Sequence, residues 1–498
     1  MKPVFIFLFS FAISLNCFGQ SIDQIWPQFR GMNSSGVAAE TAKPPVVFGN
    51  GNLKWKIQLP KGVSSPVIWN EKLFITGFID STKELQTICI DRNLGKVLWE
   101  KSIVPDTVEK VHPIASPAQG TVVTDGERVV TYFGSFGLVC YDMNGNQIWK
   151  HRVACNNESF GHGTSPVISG EKVIYFSDVQ PKRFLVVLDK KTGNVIWRNE
   201  LKFPMVGNVW ISSAGGHSVP CIYEDKIVLL RVGGISCYSL ADGNLLFDYK
   251  TVTAGNATPF IVNNKVVATC WYNFSEENQR GKLPDFDDLV KSNDKNQNGT
   301  IDWQEIPPEM IFYQRPELEI EQADKTVREL FWAFDTSGDK EITRQEWDAG
   351  LKLLQDFYYK PAGLMAISLD NKGELSDSCV LWRVTENIPE VPSPVCYKNR
   401  IYMIKEGGIL TCVNSETGEV LYINRIGASG PIMASPIAAN GNIYFFNYNG
   451  KMKAIKAGDK FEVAGEYDFK DKIAATPAVI DNTIYIRTSK ELLAYTNN

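Results

Sequence analysis

The chain has 498 residues, of which 44% are hydrophobic and 11% aromatic, including 12 Trp. This composition can build a packed core, and the length exceeds that of one simple domain unless the chain is made of repeats. The formal net charge of −5, without an extended basic patch, argues against a nucleic-acid partner.

The first 20 residues have the pattern of a secretory signal peptide. Lys2 precedes an apolar run from Val4 to Leu15, which is too short to span a bilayer. We therefore predict export to the periplasm or the exterior and removal of this segment. No later apolar run is long enough for a transmembrane segment. The alternative is a lipid anchor on Cys17, although the residues before it fit a lipobox poorly.

A short hairpin pattern recurs along the chain. In its clearest copy, Val187–Trp197, apolar residues lead to Asp189, a Thr192-Gly193 turn and a closing Trp. Glycine supplies the positive φ that such a tight turn requires. Similar patterns begin at Cys89, Cys140, Cys237 and Cys412. A hairpin repeated in this way predicts an array of small β-sheets.

A small residue followed by Pro opens each predicted unit, just before an apolar strand. The eight steps are Ser65-Pro66, Ser116-Pro117, Ser165-Pro166, Val219-Pro220, Thr258-Pro259, Ser393-Pro394, Ser435-Pro436 and Thr476-Pro477. Successive steps lie 39 to 54 residues apart, except for one gap of 135 residues. This spacing predicts an all-β fold, an eight-bladed β-propeller of four-stranded blades. The last unit has room for three strands, so we expect the strand around Trp55 to complete it and close the ring.

The pattern Ala-x-Asp-x-x-Thr-Gly-x-x-x-Trp, which residues 187–197 match with Val187 in the Ala position, points to a known family. It resembles the tryptophan-docking motif of eight-bladed propellers with pyrroloquinoline-quinone-type repeats. The resemblance covers nearly all of the chain after the signal segment, apart from one insertion. It implies the propeller fold but no single function, because the family includes quinone-dependent dehydrogenases and non-enzymatic envelope scaffolds.

The 135-residue gap between Pro259 and Pro394 predicts an insertion within the propeller. Hydrophobic residues fall at helical spacing around Phe331 and Trp347. Residues 281–350 carry 17 Asp and Glu against 8 Lys and Arg, so the insertion is acidic. The predicted domains are a signal peptide at 1–20, propeller segments at 21–271 and 362–498, and the insertion at 272–361.

Two twelve-residue stretches of the insertion match the calcium loop of an EF-hand, with oxygen ligands at positions 1, 3, 5, 7, 9 and 12 and Gly at position 6. The predicted ligands of the first ion are Asp294, Asn296, Asn298, the Thr300 carbonyl, Asp302 through a water, and both oxygens of Glu305. Those of the second ion are Asp335, Ser337, Asp339, the Glu341 carbonyl, Thr343 in the water-holding position, and Glu346. Lys340 replaces the usual Gly in the second loop, so we expect that site to be weaker.

The two loops begin 41 residues apart, each beside a helical pattern, which predicts an α-helical EF-hand pair that binds two calcium ions. Resemblance to paired EF-hands implies that Ile301 and Ile342 face each other in a short two-stranded contact. Pro307-Pro308 predicts a short exit helix after the first loop. We expect the module to be packed separately from the propeller core. The alternative is an acidic, solvated insertion that binds no metal.

Cysteine and histidine positions give two further expectations. The four cysteines that begin the repeats occupy equivalent places in different blades, too far apart for disulfides, and are predicted to be buried free thiols. His112, His162 and His217 precede three consecutive Pro steps, so one hypothesis brings them together on a ligand or metal in the channel. The favoured interpretation places them on surface loops, hydrogen-bonded to water.

Three functions remain open. The favoured hypothesis is an exported calcium-binding propeller that acts as a scaffold for an unidentified protein or small-molecule ligand at the propeller face. The alternatives are a quinone- or metal-dependent oxidoreductase with its site in the channel, and a structural envelope component. Quinone-dependent relatives commonly place adjacent cysteines beside their cofactor, and this chain has no such pair. Nucleophile-elbow and HExxH motifs are also missing, so no catalytic residue is predicted and pyrroloquinoline quinone has no support.

Overall fold

The computed structural model describes residues 22–153, 160–179, 183–202, 216–318, 324–359, 362–427 and 430–497. The predicted signal segment, residues 1–20 with Cys17, lies outside these ranges. No helix within them is long and apolar enough to cross a bilayer.

Eight four-stranded antiparallel sheets follow one another along the chain, which confirms the predicted eight-bladed propeller. The strands of blades 1 to 4 are Val67–Trp69, Lys72–Ile79, Glu84–Asp91 and Lys96–Ile103; Val123–Thr124, Arg128–Phe133, Gly137–Asp142 and Gln147–Arg152; Val167–Ser169, Lys172–Ser177, Phe184–Asp189 and Val195–Glu200; and Cys221–Tyr223, Lys226–Arg231, Gly234–Ser239 and Leu245–Lys250. Those of blades 5 to 8 are Phe260–Val262, Lys265–Cys270, Gly363–Ser368 and Val380–Val384; Val395–Tyr397, Arg400–Lys405, Ile409–Asn414 and Val420–Arg425; Ile437–Ala439, Asn442–Phe446, Lys451–Lys456 and Val463–Asp468; and Ala478–Ile480, Thr483–Arg487, Glu491–Thr496 and Leu53–Gln58.

The position of a strand in its blade determines its burial. First strands of neighbouring blades contact each other and therefore surround the central channel. The second and third strands of a blade are covered on both faces by the neighbouring blades. Their sequences are therefore almost continuously apolar, as in Lys172–Ser177. Fourth strands alternate between half-buried and exposed side chains, as Leu53–Gln58 does. Two further strands extend the blades: Ile25–Trp26 beside the first strand of blade 1, and Gly373–Leu375 parallel to the fourth strand of blade 4.

The ring closes as predicted. Leu53–Gln58, which carries Trp55, forms the outer strand of blade 8 and pairs antiparallel with Glu491–Thr496. The Thr496 amide also donates to the Asn52 carbonyl at 2.9 Å. Two segments from opposite ends of the sequence thus complete one sheet and leave no free edge on its last C-terminal strand.

The glycine of the recurrent hairpin turn packs against a tryptophan from the preceding blade. The Trp149 ring of blade 2 packs on Gly193 of blade 3, and its Nε1 donates to the Lys190 carbonyl at 2.9 Å. Gly193 has φ +73°, and an added Cβ would lie 2.6 Å from the Trp149 ring, so only glycine fits there. The Asp189 carboxylate holds the turn by accepting the Thr192 amide at 2.8 Å. The same packing joins Trp55 to Gly95, Trp99 to Gly145, Trp197 to Gly243 and Trp382 to Gly418.

A ring of hydroxyl groups joins the blades around the channel. Seven amides donate to the hydroxyl at the start of the next blade at 2.8–3.1 Å. The accepting residues are Thr121, Ser165, Thr258, Ser393, Ser435, Thr476 and Ser65. Val219 has no hydroxyl and interrupts the ring. In blade 2 the hydroxyl group of this ring belongs to Thr121. The prediction that Ser116-Pro117 opens this blade was therefore wrong.

The insertion separates the second and third strands of blade 5, and it is less helical than the sequence predicts. An EF-hand pair has four helices, whereas the described insertion has two α-helices, α1 (Phe286–Asn293) and α2 (Arg344–Leu353). Pro307-Pro308 stops a helix after the first loop. The stretch around Phe331 forms turns and the 3-10 segment Phe331–Ala333.

The remaining elements of the chain are short. Short strands are Ile301–Asp302, Glu341–Ile342, Ile311–Tyr313 and Lys325–Thr326; 3-10 segments are Ile22–Gln24, Met32–Ser34, Glu277–Gln279, Asp377–Cys379 and Glu406–Gly408; a π-helical turn is Leu354–Tyr358.

The insertion shares its core with the propeller, so the expectation of separate packing was wrong. Within the insertion, aromatic rings run in contact from Phe274, shortly after the second strand of blade 5, through Phe312 and Phe334 to Trp347 of α2, with centroids 5.0, 5.8 and 4.6 Å apart. These residues belong to one hydrophobic cluster with Trp271 and residues of blades 5 and 6. The insertion alone is too small for a large core of its own and completes one against the blade.

The cysteine prediction is confirmed. Cys89, Cys140, Cys237 and Cys412 are free and buried, each in a central strand of its own blade. Burial raises the pKa of the Cys89, Cys140 and Cys237 thiols to about 12, which keeps them protonated and unreactive.

Candidate functional site

The first candidate calcium loop follows α1 and is organised by its own acidic side chains. Asp294, whose amide caps α1, accepts the Gln297 amide through Oδ1 at 2.7 Å and the Gly299 amide through Oδ2 at 2.9 Å. Glu305, at position 12, is 5% exposed and folds back over the loop. Its Oε1 accepts the Asn296 amide at 3.3 Å and its Oε2 the Asp302 amide at 3.1 Å.

The second loop precedes α2 and repeats these bonds at the same positions. Asp335 accepts the amides of Gly338 and Lys340, positions 4 and 6, at 2.8 and 3.1 Å. Glu346 accepts the amides of Ser337 and Thr343, positions 3 and 9, at 2.9 and 3.0 Å. Loops of different sequence therefore share one backbone path.

The position-5 residues also agree between the loops. Asn298 Oδ1 accepts the Thr300 amide at 2.9 Å, and Asp339 Oδ1 accepts the Glu341 amide at 2.9 Å. Each loop therefore directs the side chains of positions 1, 5 and 12 at its own backbone amides, which places these oxygen atoms along the inner side of the loop.

Each loop contains one glycine and one other residue with a left-handed backbone. Gln297 and Gly299 have φ of 59° and 81°, and Gly338 and Lys340 have φ of 76° and 74°. The glycine has moved from position 6 to position 4 in the second loop. Gln297 in the first loop has the same left-handed backbone, with the same steric cost, as Lys340 in the second. Lys340 therefore does not by itself make the second loop the weaker site.

The two loops are joined back to back. Ile301 pairs with Ile342 as predicted, and both side chains are fully buried. Sequence reasoning assigned only the carbonyl of Glu341 a role, but its carboxylate accepts hydrogen bonds from Thr300 Oγ1 and, at 3.3 Å, from Asn298 Nδ2 of the other loop. The pair therefore behaves as one packed unit.

The acid at the end of the second loop is held in its charged form. Partial burial raises the pKa of Glu346, but hydrogen bonds from the Thr343 and Ser337 amides outweigh this and lower it to about 2. An ionised carboxylate is the form that ligates a cation.

Within the described ranges, no three His, Cys, Asp or Glu side chains come together as a metal-holding group. The first loop contains three such residues among its predicted ligands, Asp294, Asp302 and Glu305, and amide and carbonyl oxygens make up the rest. Calcium prefers such mixed oxygen ligands at six to eight positions. The loop residues fit calcium in type and order, and ligation by them stays a prediction.

The central channel contains a second candidate site, a cavity of about 600 Å³. An N-terminal segment crosses the channel and contributes Phe29 to the wall. The neighbouring Arg30 is fully buried and donates to the Pro394 carbonyl of blade 6 at 2.6 Å, while the Pro27 carbonyl accepts the Thr124 amide of blade 2 at 2.9 Å. Segment and blades thus enclose the cavity on this side.

A buried ionic cluster joins the insertion to the cavity wall. Arg315 of the insertion donates to Glu317 at 3.0 Å and to Glu390 at 2.6 Å, and its Nη2 lies 3.5 Å from Glu406 of blade 6. Its guanidinium lies 5.3 Å from the centroid of the Trp271 ring. Burial, then the Glu390 carboxylate, raises the pKa of Glu406 to about 8.

The same cluster contains a fully buried lysine. Lys405 Nζ lies 2.7 Å from Glu276 and 3.6 Å from Glu317. The Glu276 carboxylate also accepts the amides of Asn387 and Ile388 at 2.9 and 3.1 Å. The insertion is therefore attached to blade 6 by charge as well as by its aromatic core. No motif signalled this cluster, because its members are separated by up to 130 residues of sequence.

The three histidines do not meet. His112 is exposed and packs against Phe160, with ring centroids 5.0 Å apart. His162 is buried, with Nδ1 2.9 Å from Glu109 Oε2. His217 lines the channel cavity, where burial and the nearby His162 lower its pKa to about 4. The favoured interpretation of surface loops is therefore wrong for His162, which is buried because the carboxylate pairs with it.

Comparison with known families identifies the repeats. The model described as outer membrane protein assembly factor BamB matches in three overlapping stretches, residues 37–187, 83–269 and 182–305. Together they span more than half of the chain, and their overlap reflects the repetition of one unit. This supports the resemblance to pyrroloquinoline-quinone-type repeats. A comparison with curated proteins finds no match.

Solved structures share the fold at low sequence identity. BamB from Moraxella catarrhalis has a TM-score of 0.55 and 11% identity, covering 90% of this chain and 97% of that one. A europium-containing methanol dehydrogenase has a TM-score of 0.59 and 10% identity, covering 95% and 98%. Quinohemoprotein alcohol dehydrogenase ADHIIG from Pseudomonas putida HK5 has a TM-score of 0.50 and 10% identity, covering 95% and 80%. At this identity the likeness extends to the fold alone.

Proposed function

Because this chain belongs to the family of outer membrane protein assembly factor BamB, we propose that it is an exported, calcium-binding β-propeller that acts as an interaction scaffold. The family description supports a protein partner, and assembly of outer membrane proteins is the process in which we place it. The signal-like first 20 residues support export.

The calcium proposal rests on one observation, the agreement of hydrogen bonds between the two loops. Positions 1, 5 and 12 bond to the same backbone positions in both, although only four of the twelve residues are identical, the Asp at position 1 and the Glu at position 12 among them. A solvated acidic arm has no reason to repeat such a pattern. We propose that each loop binds one calcium ion through the six positions predicted from the sequence.

Calcium would act on the scaffold through the shared core. An ion that binds the folded loops stabilises them by mass action, because the unfolded loop has no preformed site. The stabilised unit continues into the cluster around Trp271 of blade 5. Exported calcium modules have dissociation constants on the order of 10⁻⁴ to 10⁻³ M, so a site of that class would stay filled outside the cell and empty inside it.

Calorimetric calcium titration of the wild type and of Glu305→Gln and Glu346→Gln tests this proposal. We expect two binding events in the wild type and the weakening of one event in each variant, because the position-12 carboxylate supplies two ligand oxygens. Glu309→Gln, exposed in the same insertion and outside both loops, is the matched control and should bind like the wild type. If the wild type takes up no calcium at millimolar concentration, the proposal fails.

The alternative, a quinone-dependent oxidoreductase, is less well supported. Pyrroloquinoline quinone carries three carboxylates, whereas the described lining of the channel cavity contains Glu390 and Glu406, and its one arginine, Arg315, is already paired with acids. Like charges so close repel, so the cavity does not fit this group. Visible absorbance of the purified protein after addition of pyrroloquinoline quinone tests the point. A bound chromophore that survives gel filtration would restore the oxidoreductase hypothesis.

A further inference from the structure

We propose that the channel cavity binds a small organic cation, a protonated primary amine attached to an aromatic or apolar body. The proposal does not depend on calcium binding or on the identity of a protein partner. It rests on the charge of the cavity wall, on one buried carboxylate oxygen, and on the aromatic residues beside them.

The charged groups of the wall favour a cation. Among the described lining residues, the acidic groups are Glu390 and Glu406 and the basic groups are Arg315 and His217. Arg315 is shared among three acids, since Glu317 also accepts its Nε at 3.0 Å. His217 is neutral at pH 7 because its pKa is lowered to about 4. The wall therefore has more acidic than basic groups, and its arginine is already paired. Burial raises the pKa of Glu406 to about 8, so the wall is net negative above that pH.

Glu406 supplies the specific contact. Its side chain lines the cavity although the residue is only 3% exposed, and its Oε2 lies 3.5 Å from Arg315 Nη2. Its Oε1 is buried and has no hydrogen-bond partner within the described part of the chain. A buried, unpaired carboxyl oxygen is costly to ionise, which is why burial raises the pKa of Glu406, and a bound cation would favour its ionised form. A primary ammonium has three donors, so one can bond this oxygen while another reaches Glu390.

The rest of the wall suits an aromatic body. Phe29, Phe160, Trp271 and Tyr272 all line the cavity, and Trp271 and Tyr272 are nearly buried. Trp271 already has the Arg315 guanidinium above its ring, which shows that this face accepts a cation. A volume of about 600 Å³ is within the range of small-molecule sites. One aromatic ring with a short aminoalkyl chain fits that space.

The test is a calorimetric titration at pH 8.5, above the raised pKa of Glu406 of about 8, with three probes of similar shape: 2-phenylethylamine, 2-phenylethanol, and the N,N,N-trimethyl derivative of the amine. Wild-type protein is measured with calcium and with a chelator. We expect the amine to bind at least tenfold more tightly than the alcohol, which lacks the charge, and than the trimethyl cation, which cannot donate to Glu406. We expect this preference in both calcium conditions. Failure of the calcium proposal would therefore leave this result unchanged.

Glu406→Gln should reduce the affinity for the amine at least tenfold and leave that for the alcohol unchanged. Glu309→Gln, outside the cavity, is the control. If Glu406→Gln does not fold, as a thermal melt would reveal, the comparison of probes on the wild type decides alone. Equal affinities for the three probes, no binding of the amine at millimolar concentration, or an unchanged preference in a folded Glu406→Gln variant would each overturn the proposal.

Discussion

The same type of contact joins neighbouring propeller blades at several junctions, whereas each contact that joins the insertion to the propeller occurs only once. At the junction of blades 2 and 3, Trp149 packs on Gly193, and four other junctions repeat this geometry. The insertion instead relies on one hydrophobic cluster, which its aromatic rings share with Trp271 and residues of blades 5 and 6, and on the buried ion pairs of Arg315.

This difference separates two ways of stabilising a long chain. A repeated contact distributes the free energy of folding over the ring, and closure makes each blade depend on its neighbours. Contacts that occur only once confine the stabilising free energy to one place, where a bound ligand can change it. We therefore expect changes in the repeated contacts to affect the whole molecule and changes in the insertion to act locally or through calcium. Five predictions test this comparison, in order of decreasing effect.

Deletion of residues 21–60 should have the largest effect. It removes the outer strand of blade 8 and the segment that crosses the channel, and it leaves Glu491–Thr496 as an open edge. We expect a loss of stability above about 5 kcal/mol, with aggregation, measured by chemical unfolding and gel filtration. The control is a circular permutant in which Leu53–Gln58 follows residue 497 through a short linker. It should fold, and a permutant as unstable as the deletion would contradict the closure argument.

Trp149→Ala should cost about 3–5 kcal/mol, the range for removing a large aromatic side chain from a core. Trp149 is 6% exposed and fills the space above Gly193. Trp303→Ala is the matched change in the insertion, where the ring is 50% exposed, and should cost about 1 kcal/mol or less. Urea unfolding monitored by circular dichroism measures both. Equal costs would remove the distinction between the two regions.

Calcium at about 100 times its dissociation constant should stabilise each loop by about 2.7 kcal/mol. Because the core is shared, protection of backbone amides from hydrogen exchange should increase in the second and third strands of blade 5, Lys265–Cys270 and Gly363–Ser368, as well as in the loops. Blade 3, on another part of the ring, should be unchanged. Protection confined to the loops would mean that the insertion is energetically separate, and the Glu305→Gln/Glu346→Gln double variant should show no response.

Acidification should destabilise the protein through His217. Its pKa is lowered to about 4 in the fold, below the ordinary value of 6.5, so the unfolded chain binds the proton more readily between these values. The contribution of His217 is complete above pH 6.5 and is lost as the pH falls towards 4. Between pH 7 and pH 4.5, the free energy of unfolding should fall by about 2 kcal/mol less in His217→Gln than in the wild type. An identical pH dependence in the two proteins would contradict the assignment.

Lys340→Gly should have the smallest effect, a stabilisation of the second loop by about 0.5 kcal/mol. The change relieves a left-handed backbone, and the greater freedom of glycine in the unfolded chain offsets part of the gain. Gln297→Gly is the matched change in the first loop and should give a similar gain. Calcium affinities of the two variants measure it. A large gain at Lys340 alone would restore the expectation that the second site is the weaker one.

Local patterns determined much of this protein directly. The Asp-x-x-Thr-Gly turn holds its shape through the Asp189 carboxylate and the positive φ of Gly193, so the repeat and its eight blades follow from the sequence. The missing strand of the last unit predicted the position of Trp55, because a sheet edge must be paired. The two candidate calcium loops contact each other as their resemblance to paired EF-hands implies, with Ile301 opposite Ile342. Each of these features depends on residues close in sequence or on a repeated rule.

Tertiary structure decided the features that depend on residues far apart. Thr121, and not Ser116, joins the hydroxyl ring, because only the packed channel shows which hydroxyl reaches the Ser65 amide. Phe312 and other aromatic residues of the insertion share a hydrophobic cluster with blades 5 and 6, so the insertion is part of the propeller core, although its acidic composition suggested a separate module. Arg315 meets Glu390 across 75 residues of sequence. Charged side chains can be buried only where the fold brings their partners together, and no periodic pattern in the sequence indicates where this happens.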